Sequence, residues 1–176
     1  MVYNCSIQFA RRESVCCMTE FTEFDKKFMK EALLQAQKAF EEDEVPVGAV
    51  LVKENSIISR GRNCVEKEKN AMQHAEIVCL SEGTKILGDW RLLDTILYVT
   101  MEPCSMCAGA AILSRVKKIV WGCPDIRHGA SGSWTNLFIK PHPIHQIQIQ
   151  SGLFEEEART LLQDFFRNKR KLNGLK

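Results

Sequence analysis

His74-Ala75-Glu76 and Pro103-Cys104-Ser105-Met106-Cys107 carry one imidazole, one carboxylate and two thiols. One histidine and two thiolates make a three-donor set that leaves a tetrahedral zinc one open position for water. Glu76, two residues from the histidine, is placed to move that water's protons. Cys104 and Cys107 are three apart, so on a helix they share a face. In the first turn, unpaired N–H groups and the helix dipole favour the thiolate that zinc requires. His74 and Glu76 pose a harder problem, because two residues along a helix are separated by about 200° around its axis. Both reach one metal only if the helix points its N-terminus at it. The sequence therefore predicts two helices, one from each motif, meeting end-on at the metal.

Outward from these motifs, the apolar pattern sets the fold. Phe24, Phe28, Ala32, Ala36, Ala39 and Phe40 recur three or four apart, predicting a helix from Phe24 to Glu42. The acidic residues 41–44 that follow read as a solvated helix end. Val47 to Val52 is a short β-branched run and reads as a buried strand, with Gly48 marking close packing of a helix or approach of a ligand. Lys53-Glu54-Asn55 turns the chain into a second strand, Ser56 to Gly61. Arg62 to Gln73 is a polar loop. A helix begins at the histidine motif and is expected to stop at Gly83. Thr95 to Thr100 is a third strand. Pro103, in the favoured first-turn position, opens a helix to Leu113. Lys118 to Gly122 is a fourth strand, 124–146 is loop, Ile147-Gln148-Ile149 is a fifth strand, and Leu153 to Leu172 is a final helix. Two antiparallel strands followed by strands alternating with helices imply a three-layer α/β/α domain, with one mixed five-stranded sheet covered by helices.

The 176 residues suit one domain, with 45% hydrophobic and 26% charged residues. No apolar run approaches the ~20 residues needed to span a bilayer. A net charge of +2 neither demands nor forbids a nucleic-acid partner. Residues 1–20 show no clear period and read as a disordered or extra N-terminal segment; the domain is assigned to 21–176. The first residues lack the apolar core of a signal peptide. The eight cysteines then read as free thiols and metal ligands in a reducing compartment, the cytoplasm. A purely structural zinc site would call for a fourth protein ligand, with Cys64, Cys79 and Cys123 as candidates, but would have no use for Glu76.

H-x-E followed by P-C-x-x-C is the known signature of zinc-dependent base deaminases. Longer stretches make the resemblance specific: residues 44–52, Asn63, His74-Ala75-Glu76-Ile77, residues 97–104, residues 106–110 and Asp164-Phe165-Phe166-Arg167. From Phe24 to Lys171 the sequence resembles the bacterial tRNA-specific adenosine deaminases. That resemblance implies a cytidine-deaminase-like fold and zinc held by His74, Cys104 and Cys107, with Glu76 as proton shuttle. The implied reaction is hydrolysis of adenosine to inosine at the wobble position of a tRNA, usually an arginine tRNA, by a homodimer. It also implies that Asn63 and the Ala75 N–H hold the flipped base. Asp125 would meet the anticodon backbone, and Phe166 with Arg167 and the basic residues beyond would face the RNA. Two stretches depart from the family pattern: Asn70-Ala71-Met72-Gln73 before the histidine, and Pro124, Ile126, Arg127 and His128 after the fourth strand. The alternatives are a guanine or nucleoside deaminase acting on a free small molecule, and a non-catalytic zinc-stabilised RNA-binding module.

Overall fold

Strands β1 (Gly48–Lys53), β2 (Ser56–Arg62), β3 (Thr95–Met101), β4 (Lys118–Cys123) and β5 (Gln148–Ser151) form one sheet in the order β2-β1-β3-β4-β5. The computed structural model describes residues 20–140, 142–172 and 174. β1 is antiparallel to both β2 and β3, whereas β3–β4 and β4–β5 are parallel. The helices are α1 (Glu23–Glu41), α2 (Val65–Glu68), α3 (Ala75–Leu87), α4 (Ser105–Leu113) and α5 (Glu155–Leu172). The expectation of a three-layer α/β/α domain on a mixed five-stranded sheet is met. The expectation for residues 1–20 lies, apart from Glu20, outside the described residues.

Alternation along the central strands builds a core on each face. Ala49, Leu51, Leu97, Val99, Ile119 and Trp121 point to the side covered by α3 and α4, where Ala75, Cys79, Leu80 and Ala111 meet them. Val50, Val52, Tyr98 and Val120 point the other way, against Phe28, Met29 and Ala32 of α1 and against Leu153. Because both faces are covered, β1 reads as a nearly unbroken apolar run. Gly48 marks close packing: a Cβ there would lie 2.1 Å from the Ala32 carbonyl oxygen and 2.4 Å from Ala36 N, both in α1. The described cysteines Cys64, Cys79, Cys104, Cys107 and Cys123 are all free.

Several local expectations are corrected. Gly83 does not end α3; it lies inside the helix, where a Cβ would meet Leu51 Cδ2 at 2.5 Å. The stop is Gly88, which takes the left-handed conformation at φ 66°. Pro103 precedes α4 rather than opening it, because Cys104 is the N-cap. The polar loop before His74 contains the single turn α2. Glu44, expected on a solvated helix end, is 1% exposed.

Thr22 and Asp25 form a capping box at the start of α1. Asp25 also accepts from the Tyr98 hydroxyl at 2.8 Å, with Lys118 Nζ 3.8 Å away. Burial works to raise the Asp25 carboxyl, but the hydrogen bonds from Thr22 and Tyr98, with the Lys118 charge, outweigh it and hold the group below its usual value. Tyr98→Phe should cost about 1–2 kcal/mol at neutral pH. A carboxyl depressed on folding contributes stability fully present above its unfolded pKa of about 3.9 and lost as pH falls through the folded value. The gap between Tyr98→Phe and wild type in urea unfolding should therefore close below that pH. A gap independent of pH would show that the hydroxyl acts through packing alone.

Candidate active site

α3 and α4 present their N-termini to the same point, as the spacing of His74 and Glu76 requires. His74 is the N-cap of α3 and Cys104 the N-cap of α4, and both have extended backbones. An N-cap side chain normally accepts a bond from its own helix. Neither of these makes such a side-chain cap bond, and both turn toward each other instead. His74 Nδ1 lies 3.6 Å from Cys104 Sγ and 3.6 Å from Cys107 Sγ.

These distances test the fit of a metal. With zinc–sulfur bonds of about 2.3 Å and zinc–nitrogen bonds of about 2.0–2.1 Å, tetrahedral geometry separates S from N by about 3.5 Å. The donor atoms of His74, Cys104 and Cys107 all lie within 4.8 Å of one another. The set fits one zinc ion. Among the described residues no fourth histidine, cysteine or carboxylate joins this group. Cys79 sits instead against Ser59 in the core, and Cys64 against Gln73. The electrostatics suit a dication. The hydrogen bond from Cys107, with a further one from His74, lowers the Cys104 thiol to about 4. Cys107 is raised, first because it supplies that bond and then by burial. Zinc binds cysteine as the thiolate, so a metal held here would displace the thiol protons.

Glu76 is 4% exposed and lies in the first turn of α3. Burial pushes its carboxyl up to about 7, with the Cys104 thiolate adding to the rise. A buried carboxyl beside the metal donors is placed to accept a proton from water and return it.

His74 and Cys104 of the metal group lie in the wall of a cleft of about 580 Å³, a volume typical of small-molecule sites, with Cys107 buried behind them. Of the residues singled out from sequence, Asn63, His74, Ala75, Glu76, Cys104, Asp125 and Phe166 line it. Arg167 does not; it pairs with Asp164 at 2.9 Å on the surface of α5. Lys169 is likewise engaged, with Asp43 at 2.6 Å. Of the adjacent phenylalanines, Phe165 is core and edge-on to Phe40, whereas Phe166 is 45% exposed at the rim.

The sequence did not single out two buried carboxylates of the cleft. Glu102 accepts backbone bonds from Asp125, Ser131 and Ser133, at 3.1, 2.8 and 3.2 Å. It thereby ties down the loop that carries Asp125, Arg127 and His128. Gly129 is pressed so closely on it that a Cβ would lie 2.4 Å from the carboxyl. Glu44 plays the same part for the segment that carries Asn63 and α2. It accepts from Asn63 Nδ2 at 3.0 Å, Glu66 N at 3.2 Å and Lys67 N at 2.7 Å. The available signal was a charged residue beside an apolar strand: Glu44 shortly before β1, and Glu102 immediately after β3.

Residues 22–123 match the cytidine and deoxycytidylate deaminase zinc-binding region. The chain belongs to this class of zinc-dependent deaminases. Curated relatives narrow the assignment. The chain is 48% identical over 147 residues to the tRNA-specific adenosine deaminase of Bacillus subtilis (strain 168), covering 84% of this chain and 91% of that protein. It is also 48% identical over 158 residues to the chloroplastic tRNA(adenine(34)) deaminase of Arabidopsis thaliana, covering 81% of this chain but 12% of that much longer protein. A solved structure from a study of A-to-I editing by tRNA:A34 deaminases at the wobble position superposes with a TM-score of 0.74 at 39% identity, covering 77% of this chain and 99% of that one. A guanine deaminase from Nitrosomonas europaea shares the fold, with a TM-score of 0.66 at 24% identity over 80% of this chain and 83% of that one. Within the zinc deaminases, this chain is a member of the tRNA-specific adenosine deaminase family.

Proposed function

We propose that the protein converts adenosine to inosine at the wobble position of a tRNA anticodon, releasing ammonia. The observation that carries this is the three-donor metal group with Glu76 beside it in a cleft whose rim includes an exposed phenylalanine. A base must leave its stack to reach such a group, which is least costly in a single-stranded loop. Phe166 offers a stacking surface there, and Arg127 and His128 bring cationic or hydrogen-bonding groups to the same rim.

His74, Cys104 and Cys107 would hold the zinc, which when bound supplies Lewis acidity that makes water nucleophilic near neutral pH. Glu76 would take a proton from the attacking water and deliver protons to the ring nitrogen and to the departing amine. Oxygen thus replaces the exocyclic nitrogen at the amidine carbon. Asn63 and the Ala75 N–H would hold the base edge, and Asp125 would meet the anticodon backbone. Arg167 would act from outside the cleft, after giving up its pairing with Asp164.

An arginine tRNA as substrate and a homodimer belong to the same proposal and rest on the family resemblance; a deaminase domain over 21–176 rests on the chain's length and apolar pattern, and a cytoplasmic location without membrane attachment on its cysteine usage. Exposed Leu137 and Ile139 offer an apolar face that a second copy could cover. No described helix is long and apolar enough to cross a membrane.

The test is to incubate the purified protein with total tRNA and sequence for A-to-I changes. Conversion confined to anticodon position 34 of one or a few tRNAs is expected. Ammonia release from free guanine or cytidine, with no change in any tRNA, would overturn the proposal in favour of a small-molecule deaminase.

A further inference from the structure

Glu44 lies on the wall of the cleft, yet only 1% of its surface is exposed. One oxygen, Oε2, accepts from Asn63 Nδ2 and from Glu66 N; the other, Oε1, accepts from Lys67 N. Asn63 and Glu66 both line the cleft. One carboxylate therefore fixes a side-chain amide and the first turn of α2 together.

We propose that Glu44 is a positioning residue for the deamination, holding the Asn63 amide in one of its two orientations where it faces the base. The assignment rests on the function proposed above only in that a base occupies the cleft. A carboxylate can only accept, so the amide nitrogen of Asn63, and not its oxygen, must face Glu44. The opposite orientation would set oxygen against oxygen in a buried place, where an unpaired polar group is costly. The hydrogen-bond pattern that Asn63 offers the base is thereby fixed before the base arrives, so no reorganisation is needed on binding.

Glu44→Gln keeps the shape and breaks this logic. A glutamine has one accepting oxygen and one donating nitrogen for three donors that now use both carboxylate oxygens. If its oxygen stays with Lys67 N, its nitrogen meets Asn63 Nδ2. A 180° rotation of the Asn63 amide relieves that clash and swaps donor and acceptor on the cleft side, but leaves Glu66 N opposed. With the glutamine turned the other way, Lys67 N loses its acceptor instead. In either arrangement the three donors are no longer all satisfied and Asn63 is held less firmly.

The first measurement is the side-chain amide ¹⁵N spectrum, with the Asn63 pair identified by its absence in Asn63→Ala. In wild type, one Asn63 amide proton should exchange slowly with water; in Glu44→Gln the pair should move and exchange should quicken. A wild-type Asn63 amide exchanging as a free side chain would overturn the proposal, whether or not the variant folds. The second measurement is a double-mutant cycle on kcat/KM for an anticodon stem-loop, with zinc content and thermal unfolding as controls. Glu44→Gln alone should lose ten- to a hundredfold, but threefold or less in the Asn63→Ala background. Additive losses would show that Glu44 acts elsewhere and would overturn the proposal. A wild type inactive on every stem-loop would overturn the proposed function instead, and the amide spectrum would still decide the role of Glu44.

Discussion

Glu76→Gln is expected to keep its zinc and lose nearly all turnover. Glutamine matches glutamate in shape, so the substitution should leave Ala75 and Cys79 in their packed places in α3. The three donor atoms of the metal group come from His74, Cys104 and Cys107 and are untouched. What disappears is the buried carboxylate in the first turn of α3, and with it the means of taking a proton from water and returning it to nitrogen. Positioned proton transfer contributes on the order of 10²–10⁴ in rate. A glutamine can neither accept nor deliver a proton at neutral pH, so the loss should reach at least that range. Cys104→Ser gives the opposite signature, because a serine hydroxyl does not replace a thiolate as a zinc ligand. That variant should lose metal first and activity in consequence. Elemental analysis and ammonia release from the tRNA substrate, measured on both variants, separate the two cases. Glu76→Gln with full zinc and wild-type turnover would mean that proton transfer runs through another group.

The metal group was legible because its members obey local rules. Three-residue spacing puts Cys104 and Cys107 on one helical face, and the angle between His74 and Glu76 forces the helix end toward the metal. The second rule holds in the structure, where His74 and Cys104 are N-caps of α3 and α4. The first holds only in outcome, since Cys104 stands in extended backbone one residue before α4 and still meets Cys107 at the His74 ring. The sheet was legible for a similar reason: the β1 and β3 runs are too short and too branched for helices. Glu44 was not legible. It follows three exposed acidic or polar positions, and its burial depends on donors at Asn63, Glu66 and Lys67, reached only after β1 and β2 have turned the chain back. Gly83 misled because a glycine near an expected helix end has two uses. Here it lets Leu51 approach the helix, and Gly88 provides the stop. Arg167 shows the limit of a motif beside a phenylalanine pair, since its neighbour Asp164 supplies a local partner that draws it along the surface.

Gly61→Ala should cripple the metal site without touching a ligand. A Cβ on Gly61 would lie 2.1 Å from the Ala75 carbonyl oxygen, 2.6 Å from Cys79 N and 2.8 Å from Cys79 Cβ. The first two are backbone atoms of α3, so no side-chain rotation relieves the overlap. Ordinary contact requires α3 to move by roughly 1.5 Å from β2, since carbon and its neighbours rest about 3.5–4.0 Å apart. His74 and Glu76 flank Ala75 and would move with it, while Cys104 caps α4 and Cys107 lies within it, and the Gly61 Cβ would meet α3 and not α4. The three donors would separate, and a misplacement of about 1 Å near the chemistry costs on the order of 10² in rate. Overpacking of this kind also costs about 1–3 kcal/mol. The variant should unfold several degrees lower, yield its zinc to a chelator at lower concentration and lose at least a hundredfold in rate. Gly109→Ala supplies the contrast: it lies inside α4, nothing stands within 4 Å of its added Cβ, and alanine favours a helix by about 1 kcal/mol. It should be neutral or stabilising and keep both metal and rate. If Gly61→Ala held zinc and turned over as wild type does, the close seating of α3 on β2 would not be what positions the histidine.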